Sequence, residues 1–169
     1  GPDHPRVALS YNNIGMVSFY KGDYDEALEY LQKSLAANLK QLEPDHPDLA
    51  FSYLNIGEVQ SIIGEYDRAL EYYRKALAIR IKQLGPDNLS VAESLGNIGR
   101  VHSGKGDYDQ ALEYFQKSLA IDLKQLGVDH PLVATSYNNI GEAHREKGEY
   151  DKALEYHQKD LAITLKQLS

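Results

Sequence analysis

The sequence predicts an all-α fold, an α-solenoid of eight helices arranged as four helix-turn-helix repeats. Three observations carry this. The chain matches itself at a 42-residue step, giving repeats 1–42, 43–84, 85–126 and 127–168 without a gap, each closing on Lys-Gln-Leu. Nineteen of the 42 columns are identical in all four copies, which removes coincidence as an explanation. Within each copy, two stretches with apolar residues at helical spacing flank a glycine followed by an acid: Gly22-Asp23, Gly64-Glu65, Gly106-Asp107 and Gly148-Glu149.

The first helix of each copy is expected to start near Asp3-His4-Pro5, with the aspartate as N-cap and proline in the first turn. Val7, Tyr11, Ile14 and Val17 mark its buried stripe, and it should end at Lys21-Gly22, since glycine favours the position past a helix C-terminus. Asp23, or Glu65 in the second copy, is then expected to cap a second helix, with Asp25 and Glu29 near its positive end. Ala27, Leu28, Leu31, Leu35 and Leu39 form its apolar face. Glu29 and Lys33 lie one turn apart and are expected to pair on a solvated face. Copy three has Asn88-Leu89 where the others have His-Pro, so its first helix is expected to start differently. No copy can bury its apolar groups alone, so residues 1–168 are expected to form a single array rather than two domains.

Composition limits the function. A net charge of −7 with no basic face excludes a nucleic-acid partner, and basic or apolar protein segments fit the sign better. No apolar run approaches the ~20 residues a bilayer span requires, and no signal peptide opens the chain, so no membrane association is expected and the cytoplasm is the expected location. The absence of cysteine excludes disulfides and thiolate metal sites. The missing initiator methionine and the whole-copy C-terminus lead to the expectation of a fragment from a longer array. Leu161 and Leu165 should then stay partly unburied and favour end-to-end homo-association.

The pattern Tyr11-x-x-Ile14-Gly15 followed by Gly22-Asp23-Tyr24-Asp25-x-Ala27-Leu28-x-Tyr30 resembles the tetratricopeptide repeat along the whole chain. The 42-residue step and the Gly-Pro-Asp-His-Pro linker look like the longer repeats of kinesin light chains rather than the usual ~34-residue unit. The resemblance implies a right-handed superhelix with the first helices lining a concave groove. It also implies that Asn13, Asn55, Asn97 and Asn139 form a ladder of amides that hydrogen-bond an extended peptide. Tyr11, Tyr53, Leu95 and Tyr137 replace the family's opening tryptophan, and its late proline is absent at Leu39.

Copy-to-copy variation points to the same surface. The ninth, twelfth, sixteenth, nineteenth and twentieth columns vary and share one face of the first helix, while Ile14 and Gly15 between them do not. The first two copies offer Leu9, Met16, Phe19, Tyr20, Phe51, Leu54 and Ile62, along with Glu58. The last two offer Glu93, Arg100, Thr135, Glu142, Arg145 and Glu146. An amphipathic or extended peptide anchored on the apolar half is the expected ligand. The sequence thus reads as an adaptor or scaffold that binds a protein segment in its groove. The alternative is a structural module whose repeats stack or self-associate.

No catalytic site, cofactor or metal is expected. Gly99 to Gly106 imitates a phosphate loop, but it lacks the hydroxyl residue after Lys105 and no strand precedes it. His102, His144 and His157 fall at inward positions and are expected near one another, as packed imidazoles rather than ligands; protonating such a cluster would loosen the C-terminal half. The 13 tyrosines mostly occupy repeat columns, and Asn88-Leu89-Ser90 is expected to be an unused glycosylation pattern.

Overall fold

The computed structural model describes residues 4–168. Its eight helices are α1 (Pro5–Lys21), α2 (Tyr24–Leu39), α3 (Pro47–Ile62), α4 (Tyr66–Leu84), α5 (Leu89–Lys105), α6 (Tyr108–Leu126), α7 (Pro131–Glu146) and α8 (Tyr150–Leu168). They pack pairwise as α1 with α2, α3 with α4, α5 with α6 and α7 with α8, so each copy is one helical hairpin. By packing, the chain forms two compact units, Gly1–Leu84 and Gly85–Ser169.

The first helices start on a different residue from the one expected. Asp3 lies outside the described residues, and in every copy the capping side chain belongs to the next column. His4 Nδ1 accepts the backbone N–H of Arg6 at 3.1 Å, His46 that of Asp48 at 3.2 Å and His130 that of Leu132 at 3.1 Å. Asn88 Oδ1 does the same for Ser90 at 2.9 Å. Copy three therefore starts like the others, because an asparagine oxygen and an imidazole nitrogen both reach the N2 donor. The linker aspartate has another task. Asp45 pairs with Lys82, Asp87 with Lys124 and Asp129 with Lys166, while Gln83 and Gln167 donate to the carbonyls of Asp45 and Asp129 at 3.0 and 2.9 Å. The Lys-Gln columns at the end of the second helix thus latch onto the linker that opens the same copy, and this accounts for their identity.

The first-helix ends follow the sequence reading. Gly22 has φ 84° and Gly106 φ 83°; Gly22 donates to Phe19 at 2.9 Å and Asp23 to Ser18 at 2.9 Å, closing the last turn. The acids after these glycines do not cap the second helix through their side chains. Asp23 instead pairs with Lys21 at 2.8 Å, and Asp107 faces His102 Nδ1 at 3.5 Å. Their remaining benefit to the helix start is charge beside the positive dipole end.

Helix α2 stops at Leu39, three residues before its counterparts, and leaves Leu39 exposed rather than on the expected buried face. α4 and α6 are followed by Gly85 and Gly127 at φ 84° and 82°, whereas Glu43 stands at that column after α2, and the chain leaves α2 with the Gln41 and Leu42 N–H groups both donating to the Asn38 carbonyl.

Inside each hairpin, the invariant glycine of the first helix admits one side chain of the second. A Cβ on Gly15 would lie 2.8 Å from Leu31; on Gly57, 2.8 Å from the Tyr73 ring; on Gly99, 2.6 Å from the Phe115 ring; on Gly141, 2.8 Å from His157. Ser34 and Ser118 then fasten the hairpin from within, each donating to a buried first-helix carbonyl, Ala8 and Ala92, at 2.8 Å. In the first unit Leu31, Leu49, Ile56 and Val59 are at most 1% exposed, each worth about 1.5–3 kcal/mol of burial. The same columns of α1 behave differently: Ile14 and Val17 are 42% and 60% exposed, whereas their α3 counterparts lie under α2. The expected pairs of Glu29 with Lys33 and Glu71 with Lys75 form on the exposed face at 2.5 and 2.6 Å, and recur as Glu113–Lys117 and Glu155–Lys159 at 2.6 Å.

Candidate functional site

The variable face of the first helices is open in both units. In the first unit Leu9, Tyr20, Phe51 and Ile62 are 60%, 79%, 56% and 51% exposed, a concentration of large apolar groups on α1 and α3. Asn13 and Glu58 are exposed on the same helices. Met16, Phe19 and Leu54 are only partly buried and pack against the core, so they edge the face rather than stand on it. Ile62 and Ile63 are surface residues, not core.

The four asparagines do not form a uniform ladder. Asn55 is 7% exposed and donates to Asn12 Oδ1 at 2.9 Å, bracing α3 against α1. Its reach into a groove is taken up by that bond. Asn97 accepts from Arg100 at 2.6 Å, and Asn13 and Asn139 retain accessible amides. The sequence signal that separates Asn55 from the rest is the twelfth column, where Asn12 supplies a partner.

The second unit is built on charge. Arg145 lies between Glu142 at 2.6 Å and Glu146 at 2.8 Å, so its charge is balanced locally. Between α5 and α7, above α6, lies a cavity of about 450 Å³ lined by Glu93, Asn97, Arg100, Asn139, Ser136 and Asp122 among others. Asp122 forms its floor at 6% exposure, with Oδ2 accepting from Ser136 Oγ at 2.8 Å. Burial pushes its carboxyl above the usual range, opposed by that hydroxyl and by His130. Little in the sequence marks Asp122, because its column, Asn38, Arg80, Asp122 and Thr164, varies in every copy and lies on a second helix, away from the variable face of the first.

The histidines have separate environments rather than one cluster. His102 is buried and stacked on Tyr114, with ring centroids 5.5 Å apart. His144 stacks on Tyr156 and meets Glu149 at 2.7 Å, while His157 faces Glu142 at 3.4 Å. An acid stands within 3.5 Å of each ring. Among the described residues no group of acids and histidines has the arrangement of a metal site, and no helix is long and apolar enough to cross a membrane.

Similarity to known proteins agrees with this architecture. The family model described as tetratricopeptide repeat matches residues 6–82, 62–124 and 90–166. A kinesin-light-chain-like protein of Podosopora anserina, crystallised with nearly identical TPR-like repeats, superimposes with a TM-score of 0.85 at 25% identity, over 98% of this chain and 78% of that one. BtubC (BKLC) from P. vanneervenii gives a TM-score of 0.89 at 20% identity, over 98% of this chain and 66% of the other, a likeness of fold alone. No curated protein matches the sequence at a significant level. The chain is an all-α solenoid of four repeats and belongs to the tetratricopeptide repeat family, with repeats of the kinesin-light-chain-like type.

Proposed function

We propose that the chain is an adaptor that binds an extended or amphipathic protein segment along the exposed faces of its first helices, with apolar anchors on the first unit. Membership of a repeat family of interaction scaffolds supports a protein partner in general. The observation that carries the finer reading is the exposure of Leu9, Tyr20, Phe51 and Ile62 on α1 and α3, in columns that vary while their neighbours stay fixed. The net charge of −7 favours segments that carry basic residues beside the apolar ones. A prearranged helical surface loses little conformational entropy on binding.

The test is a peptide-display selection on the wild-type chain and on a Tyr20→Ala, Phe51→Ala variant. Enriched sequences with spaced apolar anchors, lost on the variant, are expected. A folded wild-type chain that enriches nothing would refute groove binding.

A second reading rests on α8. Leu161 is 55% exposed, whereas Leu35 and Leu119 of the same column are 8% and 9% exposed beneath α3 and α7. That face has the composition to accept another repeat of this type. Sedimentation velocity showing size growth with concentration, abolished by Leu161→Lys, would favour self-stacking over an adaptor role.

A further inference from the structure

The cavity above Asp122 borders a position where one copy lacks a side chain. At the twelfth column the copies carry Asn12, Leu54, Gly96 and Asn138. In the first unit Asn12 occupies the space beside α3 and accepts from Asn55. In the second unit Gly96 leaves that space empty, and Asn139, the counterpart of Asn55, faces the cavity. Nothing about packing demands the glycine: a Cβ there would meet only Ser118 Oγ, at 3.7 Å. Gly96 thus differs from Gly99, whose Cβ would strike Phe115 at 2.6 Å. A glycine inside a helix without a steric cause costs ~0.5–1 kcal/mol relative to alanine and points to a use for the space.

The floor has a matching departure. Where the first unit has the neutral Asn38, donating to Ser52 at 3.3 Å, the second has Asp122, accepting from Ser136 at 2.8 Å. Ser136 uses one carboxylate oxygen, and no other protein hydrogen bond reaches Asp122 among the described residues. A carboxylate only 6% exposed, with one oxygen left toward a cavity, wants a cation. Glu93 and Arg100 stand together at the rim, Arg100 donating to the Asn97 amide oxygen at 2.6 Å, and Leu89 and Leu132 supply apolar wall.

We infer that the Gly96–Asp122 cavity is a specificity pocket for a lysine side chain of the bound segment, with the methylene stem along Leu89 and Leu132 and the ammonium on the free oxygen of Asp122. Lysine suits the site better than arginine. With Ser136 holding one oxygen, Asp122 offers a single acceptor, which a compact ammonium uses fully and a planar guanidinium fork does not. The amide oxygen of Asn139 and the hydroxyl oxygen of Thr135 can take the remaining ammonium donors. This pocket rests on the segment-binding reading and adds the identity of one residue of the segment.

The pocket can be probed without knowing that segment. Nα-acetyl-lysine methylamide is titrated into the folded chain, with the isosteric norleucine compound and cadaverine in parallel. The readout is the side-chain amide resonances of Asn97 and Asn139. The lysine probe is expected to shift both and to bind at least tenfold more tightly than norleucine. Asp122→Asn and Gly96→Asn should each weaken it at least tenfold. Both substitutions place residues that the repeat already carries at the same columns, Asn38 and Asn12, so folding is retained and is checked by the unchanged dispersion of the remaining signals. Equal binding of norleucine, or lysine binding unchanged in Asp122→Asn, would overturn the inference. Cadaverine binding tenfold tighter than the lysine probe would also overturn it, by assigning the pocket to a free diamine. A display selection that enriches peptides with no recurrent lysine refutes the pocket while leaving the adaptor reading intact; a selection that enriches nothing refutes the adaptor reading.

Discussion

Two glycines one turn apart on α5 should respond to alanine in opposite directions. At Gly96 the added methyl meets only Ser118 Oγ at 3.7 Å, so the helix gains propensity without strain. Gly96→Ala is therefore expected to stabilise the chain by about 0.5–1 kcal/mol. At Gly99 the methyl would sit 2.6 and 2.7 Å from two carbons of the Phe115 ring, which is itself 3% exposed and has nowhere to retreat. Overpacking of this kind costs ~1–3 kcal/mol, against which the same propensity gain applies, leaving a net loss of roughly 0–2.5 kcal/mol. The two variants should differ by about 1–3 kcal/mol, read as separated urea midpoints with unchanged slopes. The Phe115→Leu background provides the control, since a smaller side chain should bring Gly99→Ala closer to neutral, with a coupling of ~0.5–3 kcal/mol for residues in contact. If Gly99→Ala is as stable as Gly96→Ala, the close approach of α5 and α6 is not what fixes the invariant glycine, and the packing argument fails for all four copies.

The caps give a second test: His130→Asn should be neutral, as Asn88 already shows in its own copy, while His130→Ala should lose about 1 kcal/mol in thermal or urea unfolding. Glu149 is held down to about 2 by Lys152, Lys147 and His144, so its contribution is full above its ordinary 4.5 and is lost as pH falls towards 2. Wild type should therefore lose more stability than Glu149→Gln between pH 5 and pH 3, and parallel losses would refute the cluster. Asp122 is pushed the other way by burial, so folding is favoured as pH falls through its raised value, and Asp122→Asn should abolish that rise. Removing the internal fastener with Ser118→Ala should cost about 0.5–1.5 kcal/mol, the net worth of one buried hydrogen bond to a carbonyl that keeps its helical partner, measured by urea unfolding.

The fold was legible because repetition acts as an internal alignment. Columns that never change, such as Gly15 and Ala27, proved to be where two helices touch, and the helix ends at Gly22 and Gly106 followed from the left-handed conformation they adopt. Local competition was less legible. Each helix start has an aspartate beside a second capping candidate, a histidine in three copies and Asn88 in the other; the second residue caps, while Asp45, Asp87 and Asp129 pair with a lysine 37 residues later. The early end of α2 is likewise not marked by any residue within the helix, and the Lys-Gln-Leu columns that follow it match those of the longer helices. In the candidate site, the apolar exposure of Leu9 and Phe51 could be read from variation, but the role of Asn55 could not. Its amide is spent on Asn12, a contact between copies that no single copy encodes. The Asp122 cavity has no such sequence signal, since Gly96 reads as one more variable residue.

The latch between Lys166, Gln167 and Asp129 joins the two ends of one 42-residue copy, as Lys82, Gln83 and Asp45 do in another. Each copy so joined is therefore a cassette that carries its own clasp. A tandem duplication of one period delivers hasp and staple together, and the newcomer needs from its neighbours only an apolar wall to lean on. Lengthening such a chain by recombination needs no compensating change elsewhere, which is a route by which gene segments of this kind can multiply while remaining nearly alike.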